Sequence, residues 1–294
     1  MNFLTLSALV HDKESSFRYL QENGIVHRER RCDKNHIMTL SLTQRQDRWR
    51  CQQGQCKQDI PVRRGTWLEG SRLTYRQIIL FIYCWSKEMT SLSFCNFELE
   101  MNESTTIDWN NYLREVCAHT LILNPVVIGG PGKTVEIDES MFARRKSEVG
   151  RVLPQQWVFG GICRETRECF MYTVPDRKAT TLIPIIAANI LPGTTVISDQ
   201  WRVYNNVGQL PGLRHLTVNH SLNFVDPNSG AHTQRIERSW KTAKERNKRH
   251  NGTHRSMLDS YMCEYMWRNR TKVRSQNAFD TILQDIVVFW PPAN

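Results

Sequence analysis

The sequence lacks several features that mark common classes of protein. Its 294 residues contain no run of about 18 apolar residues, the length that a transmembrane helix needs, so no membrane partner is expected. No basic leader precedes the first apolar run, so no secretory signal peptide is predicted. Nine cysteines, an odd number scattered along a long chain, argue against a secreted disulfide framework and favour reduced thiols.

Acidic residues are scarce relative to basic ones. The chain has 29 aspartates and glutamates against 39 lysines and arginines, which gives a formal net charge of +10. Such an excess favours a polyanionic partner, chiefly nucleic acid. A membrane surface is the competing interpretation, but no basic amphipathic helix with a broad apolar face stands out.

Three acidic residues lie within or beside apolar stretches that must share a core. Asp138 interrupts the β-branched run TVEIDESMF, Asp199 ends the run TTVISDQW, and Glu237 lies beside the apolar stripe of a helical segment at 232–250. A buried carboxylate is costly unless a positive charge meets it. Divalent cations such as Mg²⁺ take oxygen ligands. A pair of them can stabilise the attacking and the leaving oxygen when a phosphoryl group is transferred by in-line displacement. Together the acids predict metal-dependent phosphoryl chemistry, whereas a lone strand-end aspartate is more often a turn or cap residue.

The same stretches resemble a known family. TVEIDES, ISDQW with a tyrosine soon after, HTQRIERSW and EYMWRNR resemble DDE transposases of the Merlin superfamily and their bacterial insertion-sequence relatives of the ISXO type. The resemblance covers about residues 130–275 and implies an α/β domain of the RNase H type, here at 134–290. In that fold the first and fourth strands lie side by side and parallel, which brings Asp138 and Asp199 together.

The resemblance also implies an activity and its partners. Asp138, Asp199 and Glu237 are then catalytic and hold two Mg²⁺ or Mn²⁺ ions. The expected reaction is hydrolysis of phosphodiester bonds at terminal inverted repeats of double-stranded DNA, followed by strand transfer into target DNA. Because two ends must be joined, a homodimer is expected. A eukaryotic host is favoured, and the protein is then expected in the nucleus; otherwise it is expected in the cytoplasm.

The third acidic position has a competitor in Gln234. In bacterial relatives the matching position is often an asparagine, and residues three apart lie on the same side of a helix. A carboxylate neutralises a cation better than an amide does, so Glu237 is favoured as the ligand, with Gln234 beside it. His220 is expected either to orient the water or scissile phosphate or to be a hydrogen-bonded core histidine.

A basic run follows Glu237 on the same predicted helix. Lys241 and Lys244 lie one and two turns further on and are expected to hold the DNA backbone near the metal ions. The positive charge continues through Arg246, Lys248 and Arg249. The alternatives are a solvated helix end or a nuclear-localisation patch.

The first 70 residues divide into a helical lead-in at 1–26 and a segment at 27–70 with paired ligand types. Two pairs separated by a predicted hairpin suit one tetrahedral Zn²⁺ ion, and the resemblance implies a zinc ribbon here. The candidate ligands are Cys32, His36, Cys51 and Cys56. The spacing is not a clean CxxC, so His27 remains a substitute for His36. The alternative is a small β-hairpin region with buried thiols.

Residues 71–123 read as helices, and residues 124–133 as a linker rich in proline and glycine. The order of helices is compatible with a helix-turn-helix whose last helix exposes Asn110, Asn111 and Arg114 to base edges. Many three-helix packings bind nothing, so this interpretation depends on its place before the predicted catalytic domain.

Two other functions fit parts of the pattern. A domesticated DNA-binding regulator without catalysis would be expected to lose one of the three acids, yet all three are present. A nuclease of the RNase H fold would keep the acids but would not need terminal inverted repeats.

Overall fold

The computed structural model describes residues 1–142, 156–219, 225–227, 230–249 and 255–293, with residues 246–249 and 255 described by their backbone alone. The chain divides into two compact units, one formed by Met1–Thr120 with Gln276–Asn294 and the other by Leu121–Ser275. None of the described helices is long and apolar enough to cross a membrane.

The first unit contains mostly helices and one small sheet. Its elements in chain order are α1 (Phe3–Leu9), α2 (Lys13–Glu22), β1 (Thr39–Leu42), β2 (Asp47–Arg50), β3 (Asp59–Pro61), α3 (Tyr75–Ser86), α4 (Leu92–Leu99) and most of α5 (Glu103–Leu123). The three strands form an antiparallel sheet in the order β1-β2-β3.

Helix α3 is the centre of this unit. It begins at a capping box between Thr74 and Gln77, and ten of its twelve residues are buried, as its nearly continuous apolar sequence predicts. Phe17 of α2 packs edge-on against Tyr75, with ring centroids 5.2 Å apart. A helix that is apolar all round can stay buried only with neighbours on every side.

The predicted helix-turn-helix surface is not present as expected. Arg114 is only 4% exposed and donates to the Asn111 side chain, so its guanidinium does not face solvent. Asn110 is half-buried, accepts from Thr90 Oγ1 at 2.9 Å and donates to the carbonyl of Thr106. These three side chains are engaged within the unit, because helical spacing alone did not show which face of α5 packs inward.

The second unit is a mixed α/β domain. Its remaining elements are β4 (Ile128–Gly129), β5 (Thr134–Met141), β6 (Trp157–Cys163), β7 (Cys169–Val174), α6 (Ala179–Asn189), β8 (Ile190–Leu191), β9 (Thr195–Asp199), β10 (Arg214–Val218), α7 (Gln234–Arg249) and α8 (Leu258–Val273). A 3₁₀ helix at Arg202–Gln209 follows β9.

Five strands form one sheet in the order β10-β9-β5-β6-β7. Strands β5, β6 and β7 are antiparallel neighbours, while β9 is parallel to β5 and β10 is parallel to β9. The expectation that the first and fourth long strands of this domain, β5 and β9, are parallel neighbours is therefore confirmed. Strand interiors such as Val135, Ile137 and Val196 are fully buried, which explains their β-branched runs.

The chain after α8 departs from the predicted domain boundary. Helix α9 (Ala278–Phe289) was expected to close the α/β domain, but it belongs to the first unit. Its Phe279 ring lies 5.3 Å from Tyr83 of α3. An apolar stripe such as that of α9 indicates that a helix is buried, but it does not specify which core the helix enters.

The segment expected to be a linker, 124–133, packs into the second unit. Strand β4 pairs with β8, and Val126 and Ile128 are buried. Gly129 has φ of +90°, and a Cβ there would lie 2.3 Å from Thr194 Oγ1. The glycine is thus required by backbone conformation and by a close contact, a role that composition alone cannot separate from flexibility.

Candidate functional site

Two of the three predicted acids lie at matching positions on neighbouring parallel strands. Strand β5 pairs with β9 through Glu136 opposite Ile197, and continuing this register by two residues sets Asp138 beside Asp199. Paired strands are about 4.8 Å apart, and residues two apart share a face. Both aspartates are half-buried at the end of the β5–β9 pairing.

Asp138 is held by a residue of helix α7. Trp240 donates its indole Nε1–H to Asp138 Oδ2 at 3.0 Å. Burial, together with the smaller effects of the negative charges of Glu139 and Asp199, raises the pKa of Asp138 to about 7 against the lowering effect of the indole hydrogen bond. A carboxylate that is desolvated and crowded by like charges gains from a bound cation, so the site suits a metal ion.

A glycine on the adjacent strand makes room for this contact. Gly160 of β6 is the register partner of Asp138. A Cβ at Gly160 would lie 2.8 Å from Trp240 Cη2 and 2.8 Å from the carbonyl oxygen of Phe170. The indole therefore packs directly over the backbone of β6, and the contact between α7 and the sheet is close.

Glu237 lies on α7 one turn before Trp240, and its side chain is exposed. Its Oε1 accepts from Thr233 Oγ1 at 3.1 Å. Gln234, the first residue of the helix, is exposed as well. Among the described residues, the three acids do not form a group that could hold a metal ion as they stand, whereas a cysteine–histidine group in the first unit does.

The predicted DNA-holding lysines differ in their surroundings. Lys241 is exposed, whereas Lys244 donates to Ser140 Oγ at 2.6 Å, and its Nζ lies 5.4 Å from the Phe142 ring centroid. Lys244 thus faces β5. The side chains of Arg246, Lys248 and Arg249, and all of His220, lie outside the described residues.

The opposite side of β5 carries a second set of polar contacts. Glu139 accepts from Arg177 at 3.1 Å and from the Tyr204 hydroxyl. Burial raises the pKa of Glu139, and the Tyr204 hydrogen bond lowers it in part. The Arg177 guanidinium lies 4.0 Å from the Trp157 ring centroid and 4.7 Å from that of Trp201. These partners differ from those of Asp138, because neighbouring residues of a strand point to opposite faces of the sheet.

Glu136 was not singled out by sequence reasoning. It is completely buried, and its carboxylate accepts from Arg164 and from backbone N–H groups at the start of α7. The signal that could have found it is the two-residue period of a strand, which places Glu136, Asp138 and Ser140 on one face. Trp240 was read only as part of an apolar stripe, although a buried indole N–H needs an acceptor.

In the first unit, three cysteines and one histidine come together. The ligand atoms of Cys32, His36, Cys51 and Cys56 all lie within 4.8 Å of one another. His36 Nδ1 is 3.3 Å from Cys32 Sγ and 3.7 Å from Cys51 Sγ. Burial raises the pKa of the Cys32 thiol, but hydrogen bonds from the backbone N–H groups of His36 and Lys34 and from the Cys56 and Cys51 side chains together outweigh it and lower the pKa to about 7. His27 is buried and is not a member of this group.

The second unit therefore has the form of an α/β domain with paired aspartates at the end of two parallel strands and a helix packed on the face of the sheet that carries Asp138. The chain belongs to the ISXO2-like transposase family: residues 130–269 match the ISXO2-like transposase domain. An uncharacterized transposase-like protein of Haemophilus influenzae is 30% identical over 112 residues, which cover 37% of this chain and 89% of that protein. The family resemblance found in the sequence is thus confirmed.

Solved structures show a weaker likeness. The catalytic core domain of BIV integrase aligns with a TM-score of 0.32 and 10% identity over 45% of this chain and 80% of that one. The catalytic core domain of HTLV-2 integrase, solved in complex with magnesium, aligns with a TM-score of 0.30 and 7% identity over 47% of this chain and 84% of that one. Neither likeness is strong enough to support an inference about the chemistry of this chain.

Proposed function

We propose that the protein is a DNA transposase of RNase H-like fold that hydrolyses phosphodiester bonds at terminal inverted repeats and transfers the freed strand into target DNA. The observation that carries the proposal is the placement of Asp138 and Asp199 on neighbouring parallel strands. Membership of a transposase family and the basic charge of the chain support DNA as the substrate. Joining two ends favours a homodimer.

Asp138, Asp199 and Glu237 are the residues that would hold two Mg²⁺ or Mn²⁺ ions. Bound there, such ions supply charge neutralisation to the phosphoryl group and activate the attacking oxygen. Oxygen ligands and the raised pKa of Asp138, which burial causes, suit this cation class. Glu237 would complete the site by turning from Thr233 towards the strand ends, and Gln234 lies one turn away on the same side of α7.

The chain's own groups have defined roles in this proposal. Trp240 fixes one oxygen of Asp138 and so holds this carboxylate in place beside Asp199 in the strand register. Lys241 is exposed on α7 and is suited to a DNA phosphate contact. Because phosphoryl transfer depends chiefly on positioning and charge neutralisation, these fixed side chains contribute by holding the reacting groups in place.

We also propose that Cys32, His36, Cys51 and Cys56 bind one structural Zn²⁺ ion. Three thiols and an imidazole with ligand atoms within 4.8 Å match a closed tetrahedral set. The ligands lie before β1 and between β2 and β3, so the ion would hold the connections of a three-stranded sheet that has few apolar residues.

The decisive experiment uses DNA taken from both flanks of the coding segment. With Mg²⁺ or Mn²⁺ the wild-type protein is expected to nick a duplex that carries the inverted repeat, and Asp138→Ala or Asp199→Ala is expected to abolish nicking without loss of DNA binding. Glu237→Ala is expected to lose nicking as well. Its control is Glu245→Ala, which removes another exposed acid of α7. Retained cleavage in either aspartate variant refutes the site, and wild-type binding without cleavage points to a regulator.

A further inference from the structure

Glu136 lies on the same face of β5 as Asp138, and its carboxylate is hydrogen-bonded to the first turn of α7 and to Arg164, which directly follows β6. Oε1 accepts from Arg164 Nε at 2.7 Å, and Oε2 accepts from the backbone N–H groups of Arg235 at 2.8 Å and Ile236 at 3.1 Å. Arg164 also donates to the carbonyl of His232 at 2.7 Å. The carboxylate therefore satisfies N–H groups of the first helical turn, which have no partner within the helix.

Three successive residues on this face of β5 contact α7. Glu136 meets the backbone of Arg235 and Ile236, Asp138 meets Trp240, and Ser140 meets Lys244. Four residues of strand span about 13 Å at 3.3 Å each, and eight to nine residues of helix span about the same length at 1.5 Å each. The helix thus runs along the strand with matched spacing, so a slip of one residue breaks all three contacts.

Glu237 is the residue immediately after the N–H groups that Glu136 binds. Its backbone N–H makes the first turn's bond to the carbonyl of Thr233 at 3.2 Å. The amino end of a helix carries a partial positive charge, which an anion stabilises. A carboxylate at Glu136 consequently holds in place the turn from which the proposed third metal ligand projects.

We propose that Glu136 is a positioning residue for the metal site: it acts through α7, setting the position of Glu237 relative to Asp138 and Asp199. The inference rests on the proposed function of that site. A competing explanation is that Glu136 only pairs with Arg164 as a structural ion pair. The two explanations differ in whether metal binding still needs the Glu136 carboxylate once Arg164 is replaced.

The experiment compares Glu136→Gln, Arg164→Gln and the double variant in the full chain. The probe is Tb³⁺, which takes oxygen ligands as Mg²⁺ does and whose emission is sensitised by a nearby indole, here Trp240. Glu136→Gln is expected to weaken Tb³⁺ binding and to raise the Mg²⁺ concentration for half-maximal cleavage by about tenfold or more, as loss of a group that supports metal ligands typically does. DNA affinity should be unchanged.

The double variant separates positioning from stability. Removing both charges is expected to restore much of the melting temperature lost in either single variant, because no buried charge is left unpaired. Metal affinity should stay low, since no carboxylate caps α7. Recovery of both melting temperature and metal affinity in the double variant overturns the inference, as does a Glu136→Gln protein with wild-type metal affinity.

Failure of the proposed function has a different signature. If the wild type binds Tb³⁺ in an Asp138-dependent manner and Glu136→Gln weakens that binding, but no DNA is cut, the positioning role stands and the transposase activity does not. If the wild type gives no Tb³⁺ emission, or if Asp138→Asn leaves that emission unchanged, the proposed metal site and the role of Glu136 are both wrong.

Discussion

The two candidate metal sites of this protein are assembled in opposite ways. In the first unit, four ligands come from residues 32–56, and their ligand atoms are already within 4.8 Å of one another. In the second unit, Asp138, Asp199 and Glu237 come from two strands and a helix spread over a hundred residues, and Glu237 is turned to Thr233. The first site is closed by ligands alone, whereas the second depends on how the sheet and α7 are held.

This difference is the one expected between a structural zinc site and a catalytic metal site of the kinds proposed above. A structural zinc site uses all four positions for protein ligands and contributes directly to folding. A catalytic site keeps positions open for substrate, and its precision comes from neighbouring residues that orient the ligands. Here those neighbours are Trp240, Gly160 and Glu136, none of which is expected to bind a metal ion.

The largest expected effect breaks the closed site. Cys51→Ser should lower the zinc content by about one ion per chain and unfold the β1–β3 sheet, because structural zinc contributes roughly 10 kcal/mol or more to small metal domains. Elemental analysis and limited proteolysis measure the two changes. Cys263→Ser, a half-buried thiol of α8, is the matched control and should retain full zinc. Equal zinc in both variants would show that the cluster does not bind zinc.

At the site of Asp138, Asp199 and Glu237, removing a ligand should have the opposite effect on stability. Without Mg²⁺ or Mn²⁺, loss of the Asp138 charge should stabilise the protein. Burial raises the pKa of Asp138 from 3.8 to about 7, so the folded protein binds this proton more tightly than the unfolded chain does. Wild-type stability should therefore fall as pH rises from about 4 to about 7, by at most on the order of 4 kcal/mol. Asp138→Asn in a buffer free of Mg²⁺ and Mn²⁺, with Zn²⁺ retained, removes this loss and should melt higher than wild type above pH 7.

Thermal melts at pH 4 and pH 8 check this sign. The advantage of Asp138→Asn should be small at pH 4 and complete at pH 8. Added Mg²⁺ should stabilise the wild type more than the variant, because the variant lacks one of the three proposed carboxylate ligands. A variant that is less stable than wild type at pH 8 without Mg²⁺ or Mn²⁺ would mean that the charge on Asp138 does not destabilise the folded protein.

The contrast between the sites also explains what the sequence could predict. Local pairs such as Cys51 and Cys56 can be read from spacing, and the β-branched runs around Asp138 and Asp199 predict the strands correctly. The contact of Trp240 with Asp138 joins residues 102 apart, and helical periodicity gives its burial but not its partner. The predictions that Arg114 is exposed and that α9 belongs to the α/β domain were wrong for the same reason. Amphipathicity shows that one face of a helix is buried but not what that face packs against.

A smaller effect is expected where the helix meets the sheet. Gly160→Ala places a methyl group 2.8 Å from both the Trp240 ring and the Phe170 carbonyl oxygen. Overpacking of this kind typically costs about 1–3 kcal/mol of stability. Displacement of the indole should also raise the Mg²⁺ concentration that cleavage needs, because Asp138 is then held less firmly. Gly54→Ala, where nothing lies within 4 Å, is the control for both melting temperature and cleavage. Identical behaviour of the two variants would show that Trp240 is free to move.

The smallest expected effect concerns the exposed face of α7, where Lys241 differs from Lys244. Lys241 is exposed, so its proposed contact is with a DNA phosphate, while Lys244 donates to Ser140. Lys241→Ala should reduce the slope of log affinity against log salt by about one, the value for loss of a single phosphate contact. Lys244→Met, which keeps the aliphatic stem, should lower melting temperature more than it changes that slope. Reversal of the two results would mean that Lys244 leaves Ser140 to bind the DNA backbone.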